Sequence, residues 1–110
     1  MPQSYAGELL RGLVEPLLLF LIAELPMHGY QIAKELEKRS QGHFKLTEST
    51  IYSALRRLES KGLVLSWWQR VTQGQRRRCY ELTEKGYQIL ADELAQWQKF
   101  CSATDKVIGS

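Results

Sequence analysis

Apolar side chains recur along this chain with a helical period in four stretches and with a strand period in two, and turn residues separate them. Between Thr47 and Val64, Ile51, Leu55 and Leu58 follow at spacings of four and three, which lines them up on one face of a helix. Thr47 is placed to cap that helix through its hydroxyl, and Gly62 to end it in the left-handed region. Leu63 to Arg70 and Arg76 to Leu82 alternate with a period of two, and the intervening Val71 to Gln75 contains Gly74. That pattern predicts two strands joined at a tip. On the second strand Arg78, Tyr80 and Leu82 share one face, with Tyr80 and Leu82 expected inward, while Arg77, Cys79 and Glu81 share the other.

Leu9 to Leu25 is helix-like but divided by Pro16. A regular helix is expected from about Glu15 or Pro16 to Glu24, with residues 9–14 as a separate turn or a kinked extension. Its Leu17, Leu18, Phe20, Leu21 and Ile22 cover more than one stripe, so one apolar face is expected to meet a second copy of the chain. After Pro26, His28 and Gly29 open a further helix. Tyr30, Ile32, Ala33 and Leu36 lie on its apolar side, and Lys34, Glu35, Glu37, Lys38 and Arg39 on its solvent side. Ser40 to Lys45 reads as a turn that Phe44 and Leu46 pin to the core. Thr83 is placed to cap the last helix, where Gly86 costs roughly 1 kcal/mol relative to alanine and so implies close packing. Tyr87, Leu90, Leu94, Trp97 and Cys101 recur along it at 3-4-3-4 spacing, an a/d seam, with Ile89 and Phe100 along a different side.

These elements predict a mainly α fold with a small antiparallel β-hairpin: a winged helix-turn-helix with flanking dimerisation helices. The expected divisions are a flexible segment over 1–8, a winged domain over 9–83, a dimerisation helix over 84–105 and a flexible tail over 106–110. At 110 residues and 44% hydrophobic content the chain suffices for one modest domain with a real core. The net charge is only +3, yet from His28 to Tyr80 eleven Lys and Arg face four Glu, whereas the remainder is acidic on balance. Positive potential is therefore concentrated on the middle of the chain, which suits a polyanion. Cys79, Cys101 and the two histidines lack metal-ligand spacing, so no metal is expected. No acid pair, nucleophile–base arrangement or phosphate-cradling glycine loop supports an enzyme, and no cofactor is implied. The run LVEPLLLFLIAEL is too short and too interrupted by Glu15 and Glu24 to span a bilayer.

The candidate chemistry is nucleic-acid binding. Ser49, Thr50, Ser53, Arg56 and Arg57 lie opposite the apolar face of their helix, where hydroxyls and guanidiniums can meet phosphates or base edges. The alternative is a hydrated face with pairing such as Arg56–Glu59. Tyr52 either meets a phosphate or braces the junction between helices. Lys34 from the preceding helix and Gln75, Arg76 and Arg77 from the wing complete the expected DNA-binding set, with Gln73 beside the tip. Arg78 is expected either at DNA or at an internal carboxylate. His28 reads as a helix-opening residue rather than a base. Trp97 and Phe100, with Leu17 and Phe20, form either plain interface core or a seat for a flat apolar small molecule.

LPMHGYQIAKELE at 25–37, TESTIYSALRRLESKGLV at 47–64, RRRCYELTEKG at 76–86 and AQW at 95–97 together resemble the PadR family of bacterial transcriptional regulators, short branch. The resemblance implies a homodimeric, cytoplasmic winged-helix repressor that binds double-stranded DNA at a palindromic operator. It makes Thr47–Lys61 the recognition helix, Gln69–Arg78 the wing around its tip and Gly86–Cys101 part of the dimerisation helix. It also implies an aromatic small-molecule effector, as bound by some members, near Trp97. Leu13, Leu17, Leu21, Tyr87, Leu90, Leu94, Trp97 and Cys101 are the expected dimer interface. Glu48 stands where many relatives carry proline, Cys79 where an aromatic is common, and Pro16 in a helix that is usually smoother. A winged-helix module that binds proteins and lacks specific DNA binding is the rival reading.

Overall fold

The computed structural model describes residues 10–72 and 74–109; the expected flexible segment 1–8, Leu9, Gln73 and Ser110 lie outside the described residues. After a helical turn at 10–11, α1 spans Val14–Glu24. Pro16 falls in its first turn, where the amide has no intrahelical acceptor to lose. The helix therefore starts a residue earlier than the proline suggested and continues through it, with the Leu17 amide bonded to the Leu13 carbonyl at 2.9 Å. The remaining elements are β1 (Met27–His28), α2 (Gly29–Arg39), α3 (Glu48–Ser60), β2 (Val64–Arg70), β3 (Arg76–Leu82) and α4 (Glu84–Ile108).

The expected antiparallel hairpin of β2 and β3 is present, and β1 adds a third antiparallel strand to give the order β1-β3-β2. Met27 pairs with Tyr80 and His28 with Cys79, while β2 and β3 run in register from Val64–Leu82 to Arg70–Arg76. A two-residue strand carries no period that a sequence can display. Its effect is large: β3 becomes the central strand, and Cys79, assigned to the outward face, is buried beside Tyr80.

The core gathers Leu18, Leu19 and Ile22 of α1, Ile32 of α2, and Ile51, Leu55 and Leu58 of α3, all essentially without exposure. Burying side chains of this size stabilises the fold by roughly 1.5–3 kcal/mol each. Phe44 and Leu46 pack against this cluster, so the 40–46 segment is fastened to the core as its composition implied. Leu21 and Leu90, expected between copies, are buried in this same cluster, and Leu13 and Leu17 are partly buried against it. Two helical faces that a periodicity offers to a partner can equally be used up at home.

Local bonds set the boundaries. The Thr47 hydroxyl accepts from the Thr50 amide at 3.1 Å, and Thr83 accepts from the Gly86 amide at 3.0 Å. At the end of α3 the Gly62 amide reaches Glu59 O at 2.9 Å and the Leu63 amide reaches Leu58 O at 2.9 Å, with Gly62 at φ 76°. This paired pattern satisfies carbonyls that would otherwise be orphaned, and it needs a residue tolerant of positive φ. Gly86 is required for a different reason: a Cβ there would collide with the Leu63 carbonyl oxygen, which itself accepts the Thr83 amide at 3.0 Å. The close packing inferred from that glycine is thus present. α4 continues through Ile108, so residues 106–108 are helical and not the tail expected at 106–110.

Candidate nucleic-acid interface

α3 is seated on the core by Ile51, Ala54, Leu55 and Leu58, which fixes what its other side presents. Ser49, Thr50, Arg56 and Arg57 are exposed and Ser53 is half-exposed, so the expected polar face does face solvent. Arg56 Nη2 approaches Ser53 Oγ at 3.4 Å and does not pair with Glu59. Arg57 differs from its neighbours. Its Nε donates to Glu15 Oε2 at 2.9 Å, and Lys61 Nζ donates to Glu15 Oε1 at 2.9 Å. Partial burial would raise the Glu15 pKa, but the hydrogen bonds from Arg57 and Lys61 hold it below the usual carboxylate value. The cations are half-exposed, so the fork contributes little to stability while it orients both. Sequence reasoning missed it because Glu15 lies 42 residues from Arg57.

Tyr52 packs at the junction between the helices, where a brace would stand. A Cβ on Gly29 would lie 2.5 Å from Tyr52 Cζ and 2.8 Å from its hydroxyl, so the ring of α3 rests directly on the first residue of α2. The same junction holds His28, whose Nδ1 accepts from the Gln31 amide at 3.3 Å while the His28 amide donates to Gln31 Oε1 at 3.1 Å. This reciprocal cap confirms a helix-opening role. An accepting Nδ1 places the neutral proton on Nε2, so Arg77 Nη1, 3.4 Å from Nε2, meets a donor and makes no good hydrogen bond. Partial burial, then the Arg77 charge, push the His28 pKa below its ordinary value, with Glu48 opposing.

Tyr30, assigned to the apolar side of α2, instead lies exposed at the surface, with Lys34 Nζ 5.0 Å and the Arg77 guanidinium 5.8 Å from its ring centre. Lys34 and Arg77, from separate elements, thereby meet over Tyr30 at the start of α2. Tyr30 is a member of this surface that the apolar count concealed. On the wing, Gln75 and Arg76 are exposed near the tip. Arg78, also exposed, reaches across to β2 and α3, its Nε donating to Ser66 Oγ at 2.9 Å and its Nη2 lying 3.9 Å from Glu59 Oε2. Of the two alternatives for Arg78, the carboxylate is the partner present in the chain itself. Cations thus stand on three neighbouring elements, Arg56 on α3, Lys34 on α2 and Arg76 on the wing, where they can serve a groove and its flanking phosphates.

α4 supplies a second exposed feature. Leu94, Trp97 and Phe100 lie exposed, and Phe100, assigned to a separate side, stacks with Trp97 at 5.9 Å between ring centres. Residues i and i+3 are helical neighbours, which accounts for the contact. Tyr87 is exposed and Cys101 intermediate, and Phe20 of α1 is exposed while Leu17 is partly covered. Among the described residues no group of His, Cys, Asp or Glu could hold a metal ion, and no helix is long and apolar enough to cross a membrane.

Residues 18–92 match the family described as Transcriptional regulator PadR-like. The chain is similar to Transcriptional regulator Rv3488 of Mycobacterium tuberculosis, at 33% identity over 86 residues that span 78% of this chain and 77% of the relative. In three dimensions it is similar to a transcriptional regulator from Clostridium thermocellum, with a TM-score of 0.83 and 27% identity over 96% of this chain and 97% of that one. It is likewise similar to a PadR family transcriptional regulator from Eggerthella lenta, with a TM-score of 0.81 and 32% identity over 94% of this chain and 88% of that one.

Proposed function

The chain belongs to the PadR-like family of DNA-binding transcriptional regulators, and from that premise we propose that it is a homodimeric, sequence-specific repressor acting on a palindromic operator in the bacterial cytoplasm. The observation that carries the reading is the seating of α3: its apolar side is consumed by the core while Ser49, Thr50, Ser53 and Arg56 stay available to a duplex. Each copy places that face in a major groove, with Tyr52 setting the angle between α2 and α3. Lys34, Arg76 and Arg77 take flanking phosphates, and Gln75 adds an amide at the wing tip. Arg57 joins them by exchanging Glu15 for a phosphate.

Two copies clasp through α4 and α1. Leu94, Trp97 and Phe100 are too apolar to remain in water along a helix about 37 Å long, and their exposure supports a partner helix there. Tyr87, Cys101, Leu13 and Leu17 border that seam, while the buried Leu21 and Leu90 support it from behind. The stacked Trp97 and Phe100, with Phe20 and Leu17, also support a flat aromatic effector between the copies, which acts by changing the separation of the two α3 helices. Equilibrium binding to duplex DNA over a salt series tests the DNA-binding reading. Arg56→Ala is expected to lower affinity for a selected operator by about 1–3 kcal/mol, as loss of an arginine at a base edge does. Equal, weak and sequence-indifferent binding by wild type and Arg56→Ala would instead favour a protein-binding module.

A further inference from the structure

The three successive arginines of the wing have three different surroundings. Arg77 turns back over Tyr30. Arg76 and Arg78, two residues apart on one face of β3, both lie beside Trp68 of β2, each guanidinium carbon 5.4 Å from the ring centre. The register explains the geometry, since Trp68 is directly opposite Arg78 and diagonal to Arg76. Trp68 is 56% exposed, so burial does not account for an indole at this position. Behind it runs a polar relay to α3: Arg78 Nε donates to Ser66 Oγ at 2.9 Å, and Ser66 Oγ donates to Glu59 Oε2 at 2.8 Å. Arg78 Nη2 completes the loop 3.9 Å from the same carboxylate oxygen. Among the described residues Arg76 has no carboxylate within ion-pair distance.

We infer that Glu59 and Trp68 are positioning residues that lock the wing to the recognition helix, through Arg78, and aim Arg76 at a backbone phosphate. This rests on the DNA-binding reading above and deepens it. Glu59 fixes Arg78, Arg78 and the strand register fix the indole, and the indole carries Arg76 without neutralising it, because a ring quadrupole attracts a cation while leaving its charge intact. Phosphate then meets a guanidinium whose position relative to α3 is already set, so less side-chain freedom is lost on binding. Arg78 is thereby reserved for the lock, and Arg76 is the wing-tip arginine that DNA meets.

Glu59→Gln separates positioning from bulk charge, since the two act in opposite directions. Removing a negative charge beside DNA should tighten binding if only net charge matters. Loss of the lock should weaken it, by roughly three- to tenfold, in line with surface contacts of this class. Trp68→Ala is expected to weaken binding to a similar extent, with Trp68→Phe restoring most of it because a ring face remains. Thermal melts of all three variants should stay close to wild type, given the exposure of Trp68. The DNA-induced change in tryptophan emission, measured in the wild type and in Trp68→Phe, isolates the indole: a clear difference between the two is expected as phosphate comes to lie beside the Arg76–indole pair. Wild-type DNA binding with Glu59→Gln equal to or tighter than wild type, or with Trp68→Ala unchanged, overturns the lock alone. A wild-type chain that binds no duplex overturns the DNA-binding reading and the lock with it.

Discussion

His28 joins a fold boundary to a titratable group. Its Nδ1 must be unprotonated to accept the Gln31 amide, and partial burial and Arg77 favour that neutral form. A histidine whose folded pKa is depressed binds its proton first in the unfolded chain. The cap is therefore fully present above about pH 6.5 and is lost as pH falls through the lowered folded value. The wild-type melting temperature should drop between about pH 7 and pH 5 more than that of His28→Asn, which keeps a capping oxygen without a titrating ring. The effect is at most about 1 kcal/mol, the usual worth of a cap, since the ring is partly exposed. Two glycines give a second contrast at this scale. Gly86→Ala sets a methyl group against the fixed Leu63 carbonyl, whereas Gly29→Ala meets the movable Tyr52 ring. Chemical denaturation should place Gly86→Ala as the costlier change, by more than the roughly 1–3 kcal/mol of ordinary overpacking. Single residues were legible where their partners are close in sequence: Thr47, Thr83, Gly62 and His28 act within three or four positions. Arg57, Tyr30 and Arg77 were not, because Glu15 and the Tyr30 surface are brought to them only by the finished fold.

At the scale of elements, the helices were legible because each buries one stripe, and α3 follows its apolar spacing from Ile51 to Leu58 without exception. The limits of that signal appear in β1, too short to alternate, and in α1 and α4, whose apolar faces are divided between the chain's own core and the outside. Leu90 goes inward and Leu94, one turn on, goes outward. Periodicity records that a face is apolar and not what covers it. The outward part of α4 yields a direct prediction. Leu94→Glu should leave the melting behaviour of the isolated subunit nearly unchanged, since Leu94 is already 37% exposed, and should shift sedimentation from dimer to monomer. Retention of the dimer would remove α4 as the clasp. Trp97→Ala with unchanged dimerisation and unchanged affinity for aromatic ligands would remove the motive for both roles of that tryptophan.

Over the whole molecule, the basic middle of the chain places exposed cations on α2, α3 and the wing, while α4 carries exposed apolar residues. Glu15 sits at the border of these regions, on the helix that backs the core and within reach of the recognition helix. Glu15→Gln should release Arg57 and Lys61 and steepen the salt dependence of DNA binding, by about 0.9 in the log–log slope for each phosphate gained. An unchanged slope would mean that the fork lies outside the contact. The charge partition of the sequence anticipated this polarity, and the family resemblance anticipated its use, but the spacing of two copies is a property of neither chain nor residue. It is reported most directly by selecting bound duplexes from a random pool. Clasped copies with paired α3 helices predict enrichment of an inverted repeat with half-sites about one helical turn apart, and loss of that enrichment in Arg56→Ala. A pool that stays random, or that yields a single asymmetric site bound by one subunit, would contradict the symmetric regulator.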